Sequence, residues 1–228
     1  MNSFAYRLGK LQAGVGILLQ RVEKINSCHE SSSGKFCSTG GGGGGGKAKK
    51  TIIRTKGGAN VREEKAAAQA ALDSIPEKMK LVKQDVYIGT RSLEGITGGP
   101  TASGYFSGHS GTETGTIEVT AISPSTGKRN LSMVAKTAVH EYAHAVDYKL
   151  GGAKPGQVFR SDSSDFRSVF EAERANVPSG KRAKNFWGTP HREAFAEVYS
   201  SLTGTPSSTA GMENYYPQTR AFVRTLFK

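Results

Sequence analysis

The residues best suited to chemistry lie close together, at His140-Glu141-Tyr142-Ala143-His144. On an α-helix, positions i and i+4 share a face about one turn apart, so the two imidazoles can reach one metal ion. Glu141, beside them, can take a proton from water activated by that ion. Zinc is the ion expected, because it takes imidazole and carboxylate ligands and lowers the pKa of bound water to about 7. Val139, Ala143 and Val146 make the surrounding turns largely apolar, as a buried active-site helix would be.

A catalytic zinc site takes three protein ligands and keeps a fourth position open. No histidine follows soon after His144, so the third ligand must come from elsewhere. Glu193 and Glu197 form a second i, i+4 pair, within a stretch made apolar by Ala194, Phe195, Ala196 and Val198. One of these carboxylates can ligate zinc. The other can hydrogen-bond a ligating imidazole and fix its tautomer.

The elements that must carry these groups are two helices. The first is expected over 131–150 and is closed by Gly151-Gly152. The second is expected over 189–203, with Thr189 as N-cap, Pro190 in the first helical position and Gly204 as the stop. Ahead of them, an Ala/Glu/Lys-rich helical stretch spans 61–83 and is interrupted at Pro76. Strands are expected over 85–90, briefly at Tyr105-Phe106, and over 116–122, where β-branched residues alternate. The Gly/Ser/Thr-rich stretch 91–104 reads as loop, and further helices are expected over 164–176 and 217–227. The fold class is α+β.

Of the net charge of +12 on 228 residues, +8 lies in residues 1–60 and +4 in residues 61–228. Residues 1–30 form a basic amphipathic segment, with Phe4, Leu8, Leu11, Val15, Leu18, Val22 and Ile25 at helical spacing. That pattern suits a targeting segment, a helix docked on an anionic membrane or partner groove, or a helix packed on its own domain. Its charge would attract an acidic partner, nucleic acid or anionic membrane. The cellular compartment stays open. Residues 31–60 read as a flexible linker, centred on the run Gly40 to Gly46 and followed by Lys47, Lys49 and Lys50. The folded domain is expected over 61–228. The two cysteines, Cys28 and Cys37, both precede it and are too few for a structural zinc site. No apolar run approaches the roughly 18 residues that span a bilayer.

Three blocks carry a resemblance: His-Glu-Tyr-Ala-His-Ala-Val-Asp at 140–147, Arg-Glu-Ala-Phe-Ala-Glu-Val-Tyr at 192–199, and Tyr-Pro-Gln-Thr-Arg-Ala-Phe at 216–222. In order and spacing they resemble the anthrax lethal factor catalytic-domain family of zinc peptidases, over about residues 105–228. The resemblance implies a zincin-like, gluzincin-type fold, a small twisted sheet with an active-site helix and a glutamate-bearing helix beside it. It implies that His140, His144 and Glu193 ligate zinc, that Glu141 is the general base, and that Glu197 supports a ligand. Asp147 falls on the family's acidic position and would support the helix or a ligand. Strand 116–122 would be the edge strand beside the cleft, so Ile117, Glu118 and Val119 would bind substrate backbone. The sequence departs from the family in one place. Relatives carry a Tyr shortly before the ligating Glu, where this chain reads Asn185-Phe186-Trp187-Gly188 and has no Tyr between Tyr148 and Tyr199. His191 and Tyr105 are the available substitutes as oxyanion donor; otherwise stabilisation falls to zinc.

The leading expectation is a zinc endopeptidase acting on a polypeptide substrate. The alternative is a non-catalytic zinc-binding domain whose basic arm binds a partner or nucleic acid. A zinc protease acting on DNA-bound proteins is a third reading, and it would require the arm to bind DNA with strong salt dependence.

Overall fold

The computed structural model describes residues 51–56, 60–90, 102–108, 115–152, 159–179, 190–205 and 212–228. The expectations for residues 1–50, for most of the 91–104 loop and for Asn185 to Gly188 lie outside these described residues. Four strands form one sheet: β1 (Ile52–Lys56), β2 (Asp85–Gly89), β3 (Gly104–Gly108) and β4 (Gly115–Thr120), in the order β1-β2-β4-β3. β1, β2 and β4 are mutually parallel, and β3 runs antiparallel to β4. Side chains alternate across a strand, and the register aligns Val86 with Ile117 and Ile88 with Val119. These four, at most 1% exposed, form one continuous apolar face, which Phe106 of β3 extends.

The helices among the described residues are α1 (Arg62–Asp73), α2 (Leu131–Gly151), α3 (Ser164–Arg174), α4 (Pro190–Leu202), the single turn α5 (Met212–Tyr215) and α6 (Pro217–Thr225), of which α1 and α2 pack against the sheet. α2 is the centre of the packing and touches α1, α4, β3 and β4. Its apolar residues run right round the helix, and Val134, Ala138, Val139, Ala143, Ala145 and Val146 are fully buried. Both of its ends are capped. The Asn130 side chain accepts from the Met133 N–H at 2.9 Å, and Gly152 closes the helix with φ +69°. α3, α4 and α6 meet in an aromatic cluster in which Phe166 contacts Phe195 and Phe222, and Phe170 stacks on Tyr216. Among the described residues no helix is long and apolar enough to cross a membrane.

The architecture is α+β, with one small open sheet. Two features correct the reading of the sequence. β1 lies inside the 31–60 segment expected to be linker. Ile52-Ile53 is a short β-branched pair between lysine- and glycine-rich flanks, and only its long-range parallel pairing with β2 makes it a strand. β4 is also not an edge. It is hydrogen-bonded by β2 on one side and β3 on the other, and β3 takes the edge beside α2. Strand order depends on which segments return to pair, a property that β4's own residues do not encode.

Glu173, on α3, is buried and uses its carboxylate to cap α6. It accepts from the Gln218 N–H at 2.6 Å, the Thr219 N–H at 2.8 Å and the Thr219 hydroxyl at 2.6 Å. Removing it strands these donors at a helix N-terminus. Glu173→Ala is expected to cost on the order of 2–3 kcal/mol, read as a lower midpoint in denaturant unfolding at unchanged slope.

Candidate metal centre

α2 supplies His140, Glu141 and His144, and α4 supplies Glu193 and Glu197. The two helices pack side by side, and two buried tyrosines tie them to one short connection ahead of β2. Tyr142 of α2 donates to the Val82 carbonyl at 2.8 Å, and Tyr199 of α4 donates to the Met79 carbonyl at 2.8 Å. Their rings lie 6.4 Å apart.

The i, i+4 spacing brings the His140 and His144 rings to 4.9 Å, nearly perpendicular at 83°. Glu193 faces both. One carboxylate oxygen lies 3.2 Å from His140 Nε2 and the other 3.5 Å from His144 Nε2. His140, His144 and Glu193 therefore offer ligand atoms within 4.8 Å of one another, a group that could hold a metal ion. Ligand atoms about 2.0–2.1 Å from a tetrahedral ion lie about 3.3 Å apart, near the two histidine–Glu193 separations. Glu197 stands behind, with one oxygen 3.5 Å from His140 Nδ1, on the side of the ring away from Glu193. The Glu193 and Glu197 roles left open by their spacing separate here, because Glu193 meets the Nε2 atoms and Glu197 meets Nδ1.

The charges in this site determine one another. Burial works against charge on His140. The hydrogen bond and charge of Glu193, with the charges of Glu141 and Glu197, outweigh it and push the pKa up to about 9. Burial would raise Glu193, but the two histidines hold it well below the ordinary carboxylate range. Glu141, 7% exposed, goes the other way. Its burial raises the pKa, and the attraction of His140 and His144 offsets this only in part, as does a hydrogen bond with the Phe106 backbone. A carboxylate raised in this way is a better proton acceptor.

β3 lies directly against this base. A Cβ added at Gly104 would fall against the Thr137 side chain and 2.8 Å from Glu141 Cγ, so only glycine allows the strand to approach so closely. That contact was not foreseen from the sequence. The signal available, a glycine beginning a short strand, does not distinguish close approach from a turn.

Other expected site residues lie elsewhere. Ile117 and Val119 are buried in the core, and Glu118 points to the opposite face of the sheet, so none of the three lines the cleft edge. Asp147 is fully buried and accepts from the Ser161 N–H at 2.8 Å and the Ser161 hydroxyl at 2.6 Å. Burial lifts its pKa to about 7 against those hydrogen bonds. Of the two substitute oxyanion donors, Tyr105 alternates with Gly104 and Phe106 and so faces away from α2. His191 precedes Glu193 by two residues, about 200° round the helix, and pairs through Nε2 with Asp162 at 2.9 Å.

A metal ion must displace the His140 proton. Below about pH 9, affinity should rise about tenfold per pH unit and then level off, as competition titrations would show. A flat profile would exclude His140 as a ligand. The raised pKa also has a consequence for the metal-free fold. The stabilisation that goes with it is fully present below the ordinary value of 6.5 and is lost as pH rises through about 9. The thermal midpoint of metal-free protein should fall across that window.

No protein-family model matches this chain, and comparison with curated proteins finds no match.

Proposed function

We propose that this chain is a zinc-dependent endopeptidase with a gluzincin-type site. The observation that carries the reading is the convergence of His140, His144 and Glu193, whose ligand atoms lie within 4.8 Å of one another, with the buried Glu141 beside them. His140 and His144 would hold zinc through Nε2, and Glu193 through its carboxylate. Zinc bound there supplies Lewis acidity, which activates water and polarises a carbonyl.

The chain's own residues do the rest. Glu141, made more basic by burial, takes one proton from water as its oxygen bonds to the scissile carbonyl carbon. It gives that proton to the amide nitrogen as the C–N bond breaks, and so returns to carboxylate. Glu197, on the Nδ1 side of His140, orients that ring. β3 is the outer strand beside α2, and Gly104 brings it to Glu141. A polypeptide substrate extended along this edge would pass the base, which is the role the resemblance implied for β4.

The orientation of Tyr105 and His191 favours a second reading, a metal-holding domain without hydrolytic activity. Metal analysis and peptide-library cleavage separate the two. A protein that carries stoichiometric zinc and cleaves nothing supports the second.

Glu141→Gln should retain zinc while cleavage falls about 10²–10⁴-fold; undiminished cleavage removes Glu141 from the mechanism. Gly104→Ala should also retain zinc, with turnover reduced on the order of 100-fold because Glu141 is displaced.

A further inference from the structure

The short turn Arg160–Asp162, between α2 and α3, reaches both site helices. Ser161 is fully buried and bound to Asp147, which lies three residues after His144 on α2. The next residue, Asp162, holds the first turn of α4. Its Oδ1 accepts from Arg192 Nε at 2.9 Å and its Oδ2 from Arg192 Nη2 at 2.8 Å. Oδ1 also pairs with His191 Nε2 at 2.9 Å, and Oδ2 accepts the Phe159 N–H at 3.1 Å. The Arg192 guanidinium stacks 4.1 Å over the Phe159 ring, which fixes the plane in which this two-pronged pair forms.

Glu193 is the residue after Arg192, in the opening turn of α4. Helix first turns are held weakly by their own hydrogen bonds, since their leading N–H groups have no partner within the helix. The direction of Glu193 therefore depends on what anchors its neighbours. A closed circuit results. It passes from His144 along α2 to Asp147, across to Ser161 and Asp162, over to Arg192, and through the backbone to Glu193, which faces His144 again.

We propose that Asp162 is a positioning residue for the metal centre, setting Glu193 against His140 and His144 through its clamp on Arg192. This rests on the metal-holding reading of those three residues. Asp162 touches neither metal nor substrate. Its effect is on ligand geometry and so on how tightly, and with what coordination, the ion is held.

The test compares full-length wild type, Asp162→Asn and Arg192→Lys for zinc affinity by chelator competition and for the visible absorption of the cobalt(II)-loaded proteins. Asn keeps the shape of Asp162 but loses its charge and the paired acceptor. Lys keeps the charge of Arg192 but cannot form the fork. Each variant should bind zinc about 10–100-fold more weakly and give a shifted cobalt spectrum. Glu173→Ala, destabilised away from the site, should keep wild-type affinity and spectrum, so loss of stability alone does not mimic the effect. Wild-type affinity and an unshifted spectrum in Asp162→Asn would overturn the proposal. If Asp162→Asn does not fold, the same result in Arg192→Lys would overturn it. A wild-type protein that binds neither zinc nor cobalt would refute the metal reading itself, and this inference with it.

Discussion

Three carboxylates and two imidazoles share a partly buried space between α2 and α4. Burying charge is costly unless it is paired, and here the pairing is mutual: Glu193 answers both histidines, Glu197 answers the far side of His140, and the burial of Glu141 is offset only in part. A proton on His140 balances part of that negative charge in the metal-free state. A divalent cation would balance more of it, and from a point that both Nε2 atoms and the Glu193 carboxylate already face. His140, His144 and Glu193 form the group that could hold such a cation.

Keeping that arrangement depends on holding two helices in register, and the surrounding structure does so from several directions. Tyr142 and Tyr199 bring α2 and α4 to the same stretch of backbone ahead of β2. Ser161 and Asp162 fasten α2 to the opening turn of α4. The aromatic cluster under α4, with Glu173 closing α6, supports the helix from behind. These contacts are buried or partly buried, so their polar groups need their partners, and that need gives the geometry its uniqueness. β3 completes the enclosure by lying so close to Glu141 that position 104 has no room for a side chain.

Asp147 shows how local and distant roles can be confused. It sits one turn beyond His144, in a place suited to supporting a ligand, yet its carboxylate accepts from the Ser161 N–H and hydroxyl. Its contribution is to a turn that then acts on the other helix. Similarly, His191 lies close to Glu193 along the chain but points to Asp162 on the far side of α4.

Much of the site was legible because it is local. The positions of His140, Glu141 and His144 follow from helical periodicity, which holds wherever the helix packs. The apolar neighbours of Glu193 and Glu197 marked α4 as buried, and the helix limits followed from Pro190, Gly151 and Gly204. The sequence by itself thus determined a helix carrying a two-histidine pair with an adjacent acid, a second helix carrying two acids, and an α+β chain to bear them. Tertiary structure alone decided the rest. Which glutamate meets the Nε2 atoms depends on the rotation of α4 against α2. The status of β4 as an inner strand and β3 as the edge depends on pairing between distant segments, as does the recruitment of Ile52–Lys56 into the sheet. The Asp162–Arg192 clamp joins residues thirty positions apart. Periodicity and capping act over a few residues, whereas strand order, helix rotation and a long-range ion pair are set only when the whole core closes.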